Sequence, residues 1–181
     1  MKPGKNRAEL CYSHIYDGSW LTDYEVLTDE LCAQLGMAFS AAETEFPDLA
    51  ADLALLQPLV FHANGSIRGQ MAVTEADLAW LAERYAHYCA EVSGRLKTFV
   101  LPRGTEPVPL LHLARSGAKK AIRALVRLEA EGREIPLILP RFLNLLCNLC
   151  FTLTVVINQR RGVEEPVFVS KSYGRTRLGK D

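Results

Sequence analysis

The sequence predicts an all-α protein: a single bundle of four long helices and one short one. Three observations carry this. Apolar residues recur at helical spacing over four long stretches. These stretches are bounded by residues that start or stop helices, among them Asp23, Thr74, Gly132 and Pro140. Only Phe99–Leu101 reads as a short extended piece. The chain has 181 residues, 49% of them apolar, which suits one domain over residues 1–181 with a sizeable core.

The elements follow in chain order. Residues 1–20 lack clear periodicity and read as a loop or arm. A helix is expected from Tyr24 to about Ala42, capped by Asp23, with Val26, Leu27, Leu31, Leu35, Ala38 and Phe39 on its apolar side. A shorter helix is expected after Pro47, over Asp48–Gln57, and a loop over His62–Met71, where Asn64-Gly65-Ser66 and Gly69 fall. Thr74-Glu75-Ala76-Asp77 resembles a capping box with Asp in the acidic position, and its helix runs to about Ser93. The next helix spans about Pro109 to Glu131 and is stopped by Gly132. The last runs from about Pro140 to Gln159, with proline in its first turn. Residues 163–181 read as a flexible tail, basic near its end at Lys171, Arg175, Arg177 and Lys180.

Composition narrows the partners. Lys+Arg and Asp+Glu both number 21, so the global field gives no reason to expect a nucleic acid or an anionic membrane. An anion site must then be local. Five cysteines in apolar helical stretches suit reduced core thiols and a cytoplasmic setting. Cys147-x-x-Cys150 has metal-like spacing but lies in an apolar helix without a second Cys/His pair nearby, so it reads as core. The segment MKPGKNRAEL has no apolar core of a signal peptide. Phe142–Ile157 is short for a membrane span and carries two asparagines, so it reads as a buried helix.

One local concentration of charge stands out. The helix after Pro109 must bury Leu111, Leu113 and Leu125, yet it carries Arg115, Lys119, Lys120 and Arg123. At about 100° per residue, with Arg115 at zero, Lys119 falls near 40°, Arg123 near 80° and Lys120 near 140°. Leu111, Ala114, Ala118, Ala121, Ile122 and Leu125 fall between about −20° and −120°. The cations thus form a stripe along one border of the buried arc. Such a stripe is either a solvated helix edge or a clamp presenting donors to one polyphosphate on successive turns. Spacing alone leaves both open.

The neighbouring words carry a family resemblance. TDELCAQLG, FVLPRGT, LHLARSGAKKAIR and RFLNLLCNLCF occur in that order over roughly residues 24–160. Together they resemble the PduO-type ATP:cob(I)alamin adenosyltransferases, whose words are roughly V-D-E-L-N-S-x-L-G, F-x-L-P-G-G-T/S, L-H-x-A-R-T-x-C-R-R-A-E-R and Y-L-N-R-L-S-D-x-L-F. The resemblance implies a five-helix bundle assembling as a homotrimer with active sites between subunits. It implies ATP, Mg2+ and cobalamin as the small molecules, the corrinoid being the substrate. It places Arg115, Lys119, Lys120 and Arg123 at the triphosphate, Asn144 near the nucleotide, and Phe99 against the lower corrin face. Asp29 would pair with Arg115 across subunits.

Departures accompany the match. The family's phosphate-wrapping T-R-T-G-D-x-G-T stretch is not recognisable, and Tyr16-Asp17-Gly18-Ser19 is the nearest remnant. Lysines replace the Arg-Arg pair, and Ile122, Leu145, Asn148, Cys32 and Arg103 stand where the family has Glu, Arg, Asp, Asn and Gly. Two functions therefore follow: an adenosyltransferase, or a non-catalytic corrinoid carrier or sensor on the same bundle.

Overall fold

The computed structural model describes residues 4, 6–95 and 99–171. Five α-helices form among them: α1 (Trp20–Ala42), α2 (Pro47–Ser66), α3 (Glu75–Glu91), α4 (Val108–Ala130) and α5 (Ile138–Arg160). A single 3-10 turn at Arg7–Glu9 precedes them. α1 packs against α2 and α4, α4 packs against α5, and α5 packs against α3. α4 is therefore flanked by α1 on one side and α5 on the other.

Each helix forms where an apolar arc meets a usable end. α1 begins one turn earlier than the expected Asp23 cap. Ser19 caps it, its hydroxyl accepting from the Leu21 N–H at 3.2 Å. Its buried arc is Tyr24, Thr28, Leu31, Cys32, Leu35, Ala38 and Ala42, whereas Val26 is exposed. The Thr74–Asp77 capping box forms as expected at the start of α3. α4 ends at Gly132, whose φ of +88° is the left-handed conformation that closes a helix. α5 is long and apolar enough to cross a membrane, but 67% of its most apolar window is buried inside the bundle.

α2 corrects the sequence reading most. The expected loop over 62–71 is helical as far as Ser66, and Pro58 lies within the helix. A proline there removes one backbone hydrogen bond. Burial of Leu53, Leu56, Val60 and Ala63 along one side outweighs it. Asn64, expected in a turn, instead donates from Nδ2 to the Glu25 carbonyl at 2.6 Å and to Thr28 Oγ1 at 2.7 Å.

The chain ends also differ from expectation. The arm is tied to the bundle: the Tyr12 hydroxyl bonds Glu25, which also forms a two-pronged pair with Arg68 (2.6 and 2.8 Å). Residues 163–171, expected as the start of a flexible tail, run back along the Phe99 segment. Val100 and Val167 form an antiparallel bridge. The Leu101 N–H donates to the Pro166 carbonyl and the Phe168 N–H to the Phe99 carbonyl, each at 2.8 Å. Backbone groups of an isolated extended piece need partners, and this segment supplies them. Of the expected basic tail, Arg175, Arg177 and Lys180 lie outside the described residues.

Candidate active site

The outward face of α4 carries the site. Leu113, expected in the core, is 53% exposed, because it lies far round the helix from the buried arc. The cation stripe is present as predicted. Arg115 is half-buried, and Lys119, Lys120 and Arg123 are exposed. Arg127 continues the stripe one turn on and lies over the Trp20 ring, 4.1 Å from its centroid. Trp20, Leu27, Lys119, Lys120, Arg123, Ala124 and Arg127 line a shallow groove of about 350 Å³ between α1 and α4. The sequence reading missed Arg127 and Trp20, although the i, i+4 step from Arg123 was there to be read.

Gly117 lets α1 approach so closely. A Cβ at that position would lie 2.6 Å from Gln34 Oε1 and 3.3 Å from Leu31 Cδ1. Gln34 Nε2 donates to Glu30 at 2.9 Å, and Glu30 pairs with Lys120 at 3.5 Å. That ion pair is exposed on both sides, so solvent screens it and an incoming anion can displace it.

Several cations of α4 differ in pairing from most arginines elsewhere in the bundle. Arg68, Arg95, Arg141, Arg160 and Arg161 each bond a carboxylate. Arg115, Lys119 and Arg123 make no hydrogen bond or ion pair among the described residues. Arg115 is the extreme case. Its Nε is buried without an acceptor, and its guanidinium sits over the Phe151 ring at 5.4 Å. A buried charged donor without an acceptor is costly, so a guanidinium held this way is set to receive one from outside the chain.

His112 completes this corner. It is buried, its ring tilted against Phe151 at 6.3 Å between centroids, with Nδ1 unpartnered. Burial, and then the Arg115 charge, lower its pKa to about 4, so it is neutral near pH 7 and adds no repulsion to Arg115. On α5, Cys147 and Cys150 are buried free thiols. Burial raises both, Cys150 to about 12, while the Arg115 charge opposes the shift at each and Lys119 opposes it at Cys147.

The remaining predicted residues do not line the groove beside the stripe. With Arg115 over Phe151 and Lys119 acting on Cys147, the α4–α5 register brings Asn144 about one turn further along α5. Asn144 is exposed and turned inward on its own helix, donating from Nδ2 to the Pro140 carbonyl at 2.8 Å. It lines a separate groove of about 530 Å³ between α3 and α5, with Glu75, Leu78, Leu137 and Arg141. Asp29 is exposed on α1 and makes no ion pair with Arg115 within the chain. Phe99 is 57% exposed, in the segment before α4. That segment turns onto α4 at Gly104, where φ is +147° and a Cβ would lie 2.9 Å from Val108 Cγ1. This explains why the glycine survives in P-R-G although its neighbour has changed. The remnant Tyr16–Ser19 sits where α1 begins, beside the groove. There Asp17 contacts His14 at 2.9 Å and the Ser19 hydroxyl donates to Glu131 at 3.1 Å.

The fold is a five-helix bundle whose fourth helix carries Arg115, Lys119 and Arg123 without partners among the described residues, and comparison with known proteins gives its family. The family model described as cobalamin adenosyltransferase matches residues 26–157. A corrinoid adenosyltransferase of Bacillus subtilis is 33% identical over 142 residues, covering 75% of this chain and 72% of the relative. A cobalamin adenosyltransferase of Cupriavidus metallidurans is 36% identical over 139 residues, covering 74% and 72%. The chain belongs to the cobalamin adenosyltransferase family. Among solved structures, a variant PduO-type ATP:corrinoid adenosyltransferase from Lactobacillus reuteri, complexed with cobalamin and ATP, has the same fold. Its TM-score is 0.77 at 23% identity, over 90% of this chain and 88% of that one. A second variant of that protein, complexed with ATP, gives 0.76 at 24% identity, over 86% and 90%.

Proposed function

We propose that this protein is an ATP:cob(I)alamin adenosyltransferase, transferring the 5′-deoxyadenosyl group of ATP to the cobalt of a reduced corrinoid. In the reaction the cobalt(I) electron pair attacks the 5′ carbon, a cobalt–carbon bond forms, and the carbon–oxygen bond breaks. Its electrons leave with triphosphate. The protein's task is to hold the polyphosphate, orient the 5′ carbon and keep water from the lower corrin face. Arg115, Lys119, Lys120 and Arg123 hold the triphosphate, with Arg127 extending the row. Asn144 meets the nucleotide, and the exposed Phe99 ring covers the lower face of the corrin, which keeps cobalt(II) four-coordinate and easier to reduce.

The observation that carries this reading is Arg115, whose buried Nε lacks an acceptor in its own chain. Asp29 of a neighbouring copy and a phosphate oxygen are the acceptors that fit, which is why a homotrimer belongs to the proposal. Mg2+ would arrive on the phosphates of ATP. Such an ion needs only one or two carboxylates from protein, and no cluster of three His, Cys, Asp or Glu suited to a metal occurs among the described residues. The buried free thiols Cys32, Cys147 and Cys150 fit a reducing cytoplasm, whereas Cys11, expected in the core, is exposed in the arm and Cys89 is half-buried.

One observation favours a corrinoid carrier instead. Tyr16–Ser19, the nearest sequence match to a phosphate loop that is otherwise not recognisable, is engaged in its own contacts, with Ser19 capping α1 and Asp17 on His14. Arg115→Ala separates the readings. A transferase loses turnover by about a hundredfold or more while still binding corrinoid. A carrier binds corrinoid as before and has no ATP-dependent turnover to lose.

A further inference from the structure

We infer that Arg95 and Glu165 are a positioning pair, latching the segment after α5 onto residues 99–101 and thereby fixing Phe99. The inference rests on the proposed role of Phe99 beneath the corrin.

Phe99 is not held through its side chain. Its ring is 57% exposed, so core packing does not fix it. What fixes it is backbone pairing with 166–168: its carbonyl accepts from the Phe168 N–H, and two residues later the Leu101 N–H donates to the Pro166 carbonyl. The pairing segment buries little apolar surface of its own. Val167, Phe168 and Val169 are 59%, 47% and 72% exposed. Two backbone hydrogen bonds and one bridge are too few to order an exposed extended segment, given the entropy of fixing each residue.

The segment is instead pinned upstream. It leaves α5 through Gly162, at φ +67°, with the Val163 N–H on the Asn158 carbonyl at 2.8 Å. Arg95, just beyond α3, then donates from Nη2 to the Val163 carbonyl at 2.7 Å and to Glu165 Oε2 at 3.0 Å. The Glu165 side chain is only 12% exposed, and its Oε1 is buried without a donor. A carboxylate so desolvated stays in place only while its cation does. Arg95 thus joins the end of α3 to the segment that carries the partners of Phe99.

The test combines amide hydrogen exchange with kinetics on Arg95→Ala, Glu165→Ala and the charge swap Arg95→Glu with Glu165→Arg. Exchange at the Leu101 and Phe168 amides should rise about tenfold or more in each single variant, with α4 amides unchanged as the folding control. In the same variants kcat should fall about tenfold with the KM for ATP within about twofold. Cobalt(II) corrinoid bound with ATP should lose the four-coordinate signal in its electron paramagnetic resonance spectrum. The swap rebuilds the ion pair but not the bond to the Val163 carbonyl, so it should restore each of the three in part. Unchanged exchange at Leu101 and Phe168 would overturn the latch. Raised exchange with kcat and the cobalt(II) spectrum intact would overturn its role in placing Phe99. A wild-type protein without ATP-dependent product would instead sink the proposed function, and the exchange and spectral readouts would still decide the latch.

Discussion

Arg115 and His112 lie one turn apart on α4 against the same Phe151 ring, and their buried nitrogens lack partners for different reasons. Arg115 awaits an acceptor, whereas burial keeps His112 neutral. The folded pKa of His112, about 4, lies below the usual 6.5, so the folded protein takes up this proton later than the unfolded chain does. The resulting stability is present in full above pH 6.5 and is lost as pH falls from there towards 4. His112→Gln should flatten the stability profile over that window, read from urea midpoints at successive pH values. Lys119→Arg should lower the KM for ATP a few-fold, because a guanidinium fork engages phosphate on two bonds where an ammonium offers a point charge. Both residues were legible as members of the LHLARSGAKKAIR word. The burial that silences His112 was not, since it depends on α5 lying across it.

The helices that the sequence marks most clearly, α4 and α5, fall within two residues of their expected starts and ends. α2 did not, because Pro58 and Asn64-Gly65-Ser66 speak for a break in local terms. Packing against α1 decides otherwise, through side chains far away in sequence. The same distance hid the pairing of 99–101 with 166–168. The Tyr12–Glu25–Arg68 cluster, where the arm meets α1 and the end of α2, is also long-range. Burial alone would raise the Glu25 pKa, but Arg68 and then Tyr12 outweigh it and hold the carboxyl below its ordinary value. Its contribution is present above the ordinary carboxylate range and lost as pH falls through the lowered value. Removing Arg68 leaves the nearly buried Glu25 carboxylate with the Tyr12 hydroxyl as its remaining side-chain partner, and because Arg68 is 37% exposed, Arg68→Met should destabilise the fold by about 1–2 kcal/mol. Limited proteolysis should then cut the arm ahead of α1 before the bundle.

At the scale of the whole molecule, one chain presents an open cation ridge, an exposed Asp29 and an exposed Phe99 that do not close on one another. The family words singled out these residues, but one chain's sequence carries no geometry between subunits. Assembly would bring Asp29 of one copy to Arg115 of the next. Sedimentation should then give a species of three 20.1 kDa chains. Asp29→Ala and Arg115→Ala should each lose activity, and Asp29→Arg with Arg115→Asp should regain the assembly but not the activity, because a carboxylate at 115 repels triphosphate. The most direct measurement is anaerobic mixing of the purified protein with chemically reduced cobalamin, with and without Mg-ATP, following the absorbance of the cobalt–carbon product. Product is expected only when ATP is present, with one triphosphate released for each corrinoid adenosylated. A folded protein that alters the corrinoid spectrum on binding but forms no product with ATP would contradict it, and would make the α4 ridge part of a carrier.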